Sequence, residues 1–169
     1  CVLAAHGRDR DGILLFEELA GLVEVRVARD AGGLVTGATI AAPQALSLGI
    51  QLPADAIAAC AGLKAQDILT GRHLPQQASV GVKFVLTEVT PEALTRATPD
   101  IAAYRRLEQA NPALEGRLSI FFYAWDGDRV RARMFAPLAG TWEDPATGSA
   151  SATLAALTLS LSDKDSIAF

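Results

Sequence analysis

Two cysteines and two histidines are all that 169 residues offer as thiolate or imidazole ligands, and neither Cys1 nor Cys60 stands at metal-ligand spacing from another such residue. A zinc constellation and a disulfide framework are therefore excluded, and a reducing compartment, the cytoplasm, is expected. Basic excess is also missing. Fifteen Lys and Arg stand against nineteen Asp and Glu, and the cations are scattered apart from Arg105-Arg106 and Arg129/Arg131/Arg133. Nucleic acid is not an expected partner. The most apolar runs, LSIFFYAW and ATLAALTLSLS, fall well short of the roughly twenty residues a membrane span needs, so no membrane partner is expected. Heptads, low-complexity tracts and tandem repeats are lacking too.

What remains is a chain half hydrophobic by count, long enough for one sizeable core or two small ones. Its opening, CVLAAHG, reads as the last turns of a helix closed by Gly7, with His6 at the helix C-terminus, where a cation suits the dipole. Because the chain starts on Cys1 without methionine and runs straight into this apolar helix, its true N-terminus is expected to be missing. Alternation then predicts a hairpin, Ile13–Glu18 turning through Ala20-Gly21 into Leu22–Ala28. DAGGL breaks the pattern and is the expected interdomain link, dividing the chain at 1–33 and 34–169.

Beyond the link, VTGATIAA reads as a strand stopped by Pro43, and LPADAIAACAGL as a short helix between Pro53 and Gly62 that buries Cys60 as a small hydrophobe. SVGVKFVLTEV, Ser79 to Val89, reads as one strand, and TPEALTRATPDIAAYRRLEQAN as two helical pieces separated by Thr98-Pro99. RLSIFFYAW and RVRARMFAP form a second hairpin across Asp126-Gly127, the strongest short hairpin signal in the chain. Strands dominate, which predicts an α+β protein.

The last helix carries the chemistry. GSASATLAALTLS is apolar or small on every side, and a helix without a polar stripe is expected to be surrounded by protein. The economical arrangement is a sheet rolled around it. Its first backbone N–H groups then need acceptors inside the protein. Gly148 lies in the first turn, where glycine costs about 1 kcal/mol relative to alanine. A glycine there lets an anion approach the bare N–H groups, where the macrodipole also favours negative charge. Thr147 and Ser149 add hydroxyls, and Asp144 stands just upstream to exchange a proton with whatever is bound. The bland alternative makes Asp144 an ordinary N-cap with Pro145 at the first helical position. It leaves Asp144, Thr147 and Ser149 as more capping groups than one helix uses.

RMFAPLAGTWEDPATGSASATLAAL resembles the second signature of the PhzF-like family, the phenazine-biosynthesis isomerases and their relatives, which share the diaminopimelate epimerase fold. ASVGVKFVLTEV resembles the family's pocket-lining strand, and CVLAAHGRDRDGILLFEELAGLVEVRV resembles the chain just after its first helix motif. The resemblance implies two pseudo-symmetric domains, each a barrel-like, mostly antiparallel sheet around a central helix, with the first domain only partly present in residues 1–33 and most of the second in 34–169. It implies a cofactor-independent isomerase, without metal, that moves a proton at carbon in a small carboxylic acid. The intact enzyme would be a cytoplasmic homodimer.

By the same resemblance, Asp144 matches the aspartate of the Glu-Asp-Pro-Ala-Thr-Gly-Ser-Ala motif. Gly148 and Ser149 match substrate-contacting positions, joined by Thr147 beside them, and Ser79 and Gly81 match the pocket strand more loosely. The family's principal acid/base, a glutamate, would precede Cys1, and the family continues beyond the equivalent of Phe169. The chain alone is therefore expected to be inactive. A non-catalytic small-anion binding module is the competing reading, and a third, an amino-acid racemase or epimerase of the same fold, would require a thiol or carboxylate pair that these residues do not show.

Other candidates have plainer explanations. His73 in TGRHLPQQ reads as a solvated loop histidine. Arg129, Arg131 and Arg133 read as the charged solvent face of an edge strand. Glu17 and Glu18 point to opposite faces of their strand and cannot share a proton.

Overall fold

The computed structural model describes residues 2–19 and 21–168. Cys1, Ala20 and Phe169 lie outside the described residues, and with them the first residue of the expected N-terminal helix and half of the expected Ala20-Gly21 turn. The chain divides into two compact units, residues 1–45 and 46–169.

The first unit is a three-stranded antiparallel sheet, β1 (Ile13–Glu18), β2 (Gly21–Arg29) and β3 (Val35–Ile40), preceded by the short helix α1 (Val2–Ala5). Alternation sets its faces: Leu14 and Val25 pair across β1 and β2 and are buried with Ala4, while Leu15 and Leu22 stay exposed. The expected hairpin is present, and Gly7 closes α1 at φ +66°. The expected link is not a link. Residues 30–34 turn β2 into β3 within one sheet, with Asp30 Oδ1 accepting from the N–H groups of Gly32 and Leu34 at 2.9 Å each. An aspartate that accepts from its own downstream backbone makes a tight turn, so the boundary between units falls after Ala45 and not after Gly33.

The second unit is built on a six-stranded sheet in the order β4 (Ser47–Gln51), β5 (Gln76–Ser79), β6 (Lys83–Glu88), β7 (Ile120–Asp126), β8 (Arg129–Ala136), β9 (Thr141–Asp144). Among the described residues, only β6 and β7 pair in parallel. Their crossover carries α3 (Pro91–Arg96) and α4 (Ile101–Ala110), both capped by side chains: Thr90 Oγ1 accepts from Ala93 N and Asp100 Oδ1 from Ala103 N.

Period-two alternation divides the strands between two cores. Val85, Val89, Ile120, Phe122, Ala124 and Phe135 face α3, α4 and α2 (Ala54–Cys60). Phe84, Leu86, Phe121, Tyr123, Met134 and Ala136 face α5 (Gly148–Ser160). Burial of each large side chain contributes about 1.5 to 3 kcal/mol, so the sheet is held from both sides.

Three expectations change here. The Ser79–Val89 stretch is two strands, because Gly81 turns at φ +145° with its N–H donated to Ser79 Oγ at 3.0 Å. β8 is an inner strand between β7 and β9, so its arginines do not line an edge. The sheet is open between β4 and β9, and α5 is covered on one side only: Ala150, Thr153, Leu154 and Leu157 are buried, while Gly148, Ser149, Ser151 and Ala152 are exposed. Among the described residues, no helix is long and apolar enough to cross a membrane.

Candidate functional site at the opening of the last helix

β8 leads through a 3-10 turn at Pro137–Ala139 and Gly140, at φ +83°, into the edge strand β9. Asp144 ends that strand, in register with Met134. Pro145 and Ala146 follow, and Thr147 occupies the N-cap of α5. Asp144 is thus not the N-cap of this helix, as the bland reading had it. It lies three residues upstream and organises the loop: Oδ2 accepts from Thr147 Oγ1 at 2.7 Å, and Oδ1 faces Ala146 N at 3.4 Å.

The consequence for the helix opening is direct. The Thr147 hydroxyl, engaged by Asp144, does not cap α5. The N–H groups of a first turn have no intrahelical partner, and here Gly148 N reaches only the Ala146 carbonyl at 3.1 Å. Gly148 is exposed, and a methyl built on it would meet no atom within 4 Å. The glycine therefore faces open space, as close backbone approach by a ligand requires.

An open depression of about 320 Å3 lies at this point, lined by Asp144, Pro145, Ala146, Thr147, Gly148 and Ser151, with Phe121 and Ala132 on the sheet below. Asp144 is its one ionisable lining residue among those described. The geometry offers a helix opening for an anion and one carboxylate beside it. No cluster of His, Cys, Asp or Glu among the described residues could hold a metal ion.

The sequence-predicted residues divide. Asp144, Thr147 and Gly148 come together in the depression. Ser149 does not line it, and two residues on, Ser151 does. The Ser151 hydroxyl donates back to Thr147 O at 3.1 Å, leaving its oxygen as an acceptor. Ser79 and Gly81 lie at the β5–β6 turn and do not line the depression either; Ser79 is buried, its hydroxyl accepting from Gly81.

A second polar group was not legible in the sequence. His73 Nε2 lies 2.7 Å from the buried Tyr123 hydroxyl, and its Nδ1 lies 2.6 Å from Leu74 O. Arg72 pairs with the buried Glu88 carboxylate and covers the Trp125 ring at 5.1 Å. Burial pushes the Tyr123 phenol well above its ordinary range, with Glu88 adding to the shift. This group fastens the loop 70–74 to the sheet, so His73 is tethered and not simply solvated.

The fold agrees with the comparisons. The phenazine biosynthesis-like protein family (PhzC-PhzF) matches residues 1–167, and the chain belongs to that family. A Deinococcus radiodurans protein described as an uncharacterized isomerase is 36% identical over 163 residues, covering 92% of this chain and 50% of its own. Among solved structures, a Bacillus anthracis phenazine biosynthesis protein of the PhzF family superimposes with a TM-score of 0.69 at 22% identity, over 97% of this chain and 55% of that one. A protein from Pseudomonas aeruginosa described as a predicted epimerase gives 0.67 at 28% identity, over 96% and 55%. The mixed α+β, diaminopimelate epimerase-like class expected from the sequence is thereby found, and the chain spans about half the length of these relatives.

Proposed function

We propose that this chain carries the carboxylate-binding half of an isomerase or epimerase site that moves a proton at carbon without a cofactor. The observation that carries the reading is the uncapped opening of α5 at Gly148, with the Asp144 carboxylate held beside it by Thr147. A substrate carboxylate would accept from the first-turn N–H groups, with Gly148 leaving room for it. Asp144 would exchange a proton with the adjacent carbon or with a polar group next to it.

Proton transfer at carbon uses a donor and an acceptor on defined sides of the substrate. Asp144 supplies one, and the second would come from residues outside this chain. The relatives' names as isomerase and predicted epimerase support the reaction class. As the family resemblance implies, the longer enzyme would be a cytoplasmic homodimer; the compact units 1–45 and 46–169 would then belong to its first and second domains. The Ser149 hydroxyl, Ser79 and Gly81 would then take part only through groups the longer protein adds, while the Ser149 N–H belongs to the first turn that meets the carboxylate.

The competing reading, a binding module for small anions, is favoured by one feature: among the described residues a single ionisable group, Asp144, lines the depression. Solvent-deuterium exchange separates the two. A longer protein containing this sequence should wash deuterium into a C–H position of a small carboxylic acid, and Asp144→Asn should abolish the exchange while acetate still binds. Acetate binding without exchange in any such acid would favour the binding module.

A further inference from the structure

The geometry points to Arg133 and Glu143 as the positioning pair of the candidate site, gripping β9 from the sheet face opposite the depression and so setting Asp144 over the opening of α5. The inference rests on the proposed carboxylate site, and it begins with how little else holds β9. This edge strand pairs with β8 at Met134↔Asp144 and Ala136↔Thr141, with a register shift between the two pairs. One residue of β8 thus stands opposite Trp142 and Glu143 together. A bulge of this kind bends a strand and interrupts its ladder, so backbone pairing alone gives Asp144 a loose seat.

Arg133 supplies what the ladder lacks. Its Nε and Nη2 donate to Glu143 Oε1 and Oε2 at 2.7 and 2.8 Å, a two-pronged grip on the bulged residue. Its Nη1 donates to Leu94 O at 3.0 Å and Ala97 O at 2.8 Å, with Thr95 O at 3.4 Å, the carbonyls at the end of α3. The guanidinium also lies over the Phe135 ring at 4.9 Å. Arg133 is therefore itself immobilised, on a helix end where a cation is favoured, before it grips Glu143. The planar fork is essential, because a lysine offers a point charge and cannot hold both oxygens and the α3 carbonyls at once.

Successive strand residues face opposite ways. Glu143 points toward α3, and Asp144 shares the register of Met134, which packs in the core beneath α5. Neither Arg133 nor Glu143 lines the depression, so both act through the backbone of β9.

The test uses Arg133→Lys and Glu143→Gln, which preserve size, with Glu115→Gln as a control that removes an exposed ion pair to Lys83 elsewhere. Amide hydrogen exchange and the 15N shift of Gly148 are read first without ligand, and acetate is then titrated. Both variants should speed exchange at residues 141–148 at least tenfold beyond any change in the core, shift Gly148, and weaken acetate binding at least fivefold; the control should do none of these. Unchanged exchange at 141–148, or acceleration equal to that of the whole core, overturns the positioning role. If the unaltered chain binds no acetate, the carboxylate reading fails, and the exchange arm decides the role of the pair on its own.

Discussion

Replacing Gly148 by alanine separates a glycine kept for structure from a glycine kept for a ligand. Its φ is not in the left-handed region, and an added methyl would meet nothing within 4 Å. The protein itself therefore has no steric reason for glycine here. Alanine is the better helix former by up to about 1 kcal/mol in a helix interior and also restricts the unfolded chain. At the first helical position, where part of that gain is lost, the expected stabilisation is about 0.5 kcal/mol, a rise in melting temperature of roughly 1 to 2 °C. The same methyl occupies the space through which an anion would reach the first-turn N–H groups. Losing one hydrogen bond to a charged acceptor costs about 1.5 to 3 kcal/mol, which weakens acetate binding roughly 10- to 150-fold. Thermal unfolding and an acetate titration on the two proteins test both halves. A less stable variant would show that the fold itself needs glycine at 148, and one that binds acetate as well as the parent would show that no anion enters past Gly148.

Other outcomes follow from the same structure. Leu154 is fully buried between α5 and the sheet, so Leu154→Ala should cost about 3 kcal/mol in urea unfolding; a loss below about 1 kcal/mol would mean that α5 is not docked as described. Burial pushes the Cys60 thiol up to about 12, with Asp100 adding to the shift. Its peptide should therefore stay unlabelled by iodoacetamide at pH 8 in the folded chain and become labelled in urea, and labelling at equal rates in both would contradict the buried position.

The ion-pair hydrogen bonds from Arg133, Arg96 and Lys83 hold the carboxyls of Glu143, Asp67 and Glu115 below the usual carboxylate range. A group with a depressed folded pKa stabilises above its unfolded value, about 4, and that contribution is lost as pH falls through the folded value. The urea midpoint should therefore decline from about pH 4 downward, less steeply in Glu143→Gln; a midpoint that rises on acidification would oppose these assignments.

The hairpins and the two crossover helices were legible because their signals are local: alternation in Leu22–Ala28, the Asp126-Gly127 turn, and Thr98-Pro99 between α3 and α4. β4, β5 and β9 were not. Gln76–Ser79 is a polar strand buried at every residue, and Thr141–Asp144 is too short to show a period, so only their tertiary partners identify them. The helix opening at Gly148 was visible as a conflict between a helical pattern and a poor helix former. The substitution of Ser151 for Ser149 at its wall depends on helix rotation against the sheet, which the uniformly small and apolar composition of α5 does not encode. For the same reason the sequence suggested a helix covered all round where the structure covers one side. The Arg133–Glu143 grip stayed hidden because it joins three elements, and in sequence the arginines read only as an alternating charged face.

The most direct measurement is a titration of the 15N-labelled chain with acetate, following the backbone amides of residues 147–151. A carboxylate site there requires saturable shifts centred on Gly148 and Ser149 and their loss in Gly148→Ala. Shifts that are absent, or spread evenly over surface amides and unaffected by that substitution, would contradict a carboxylate site at the opening of α5.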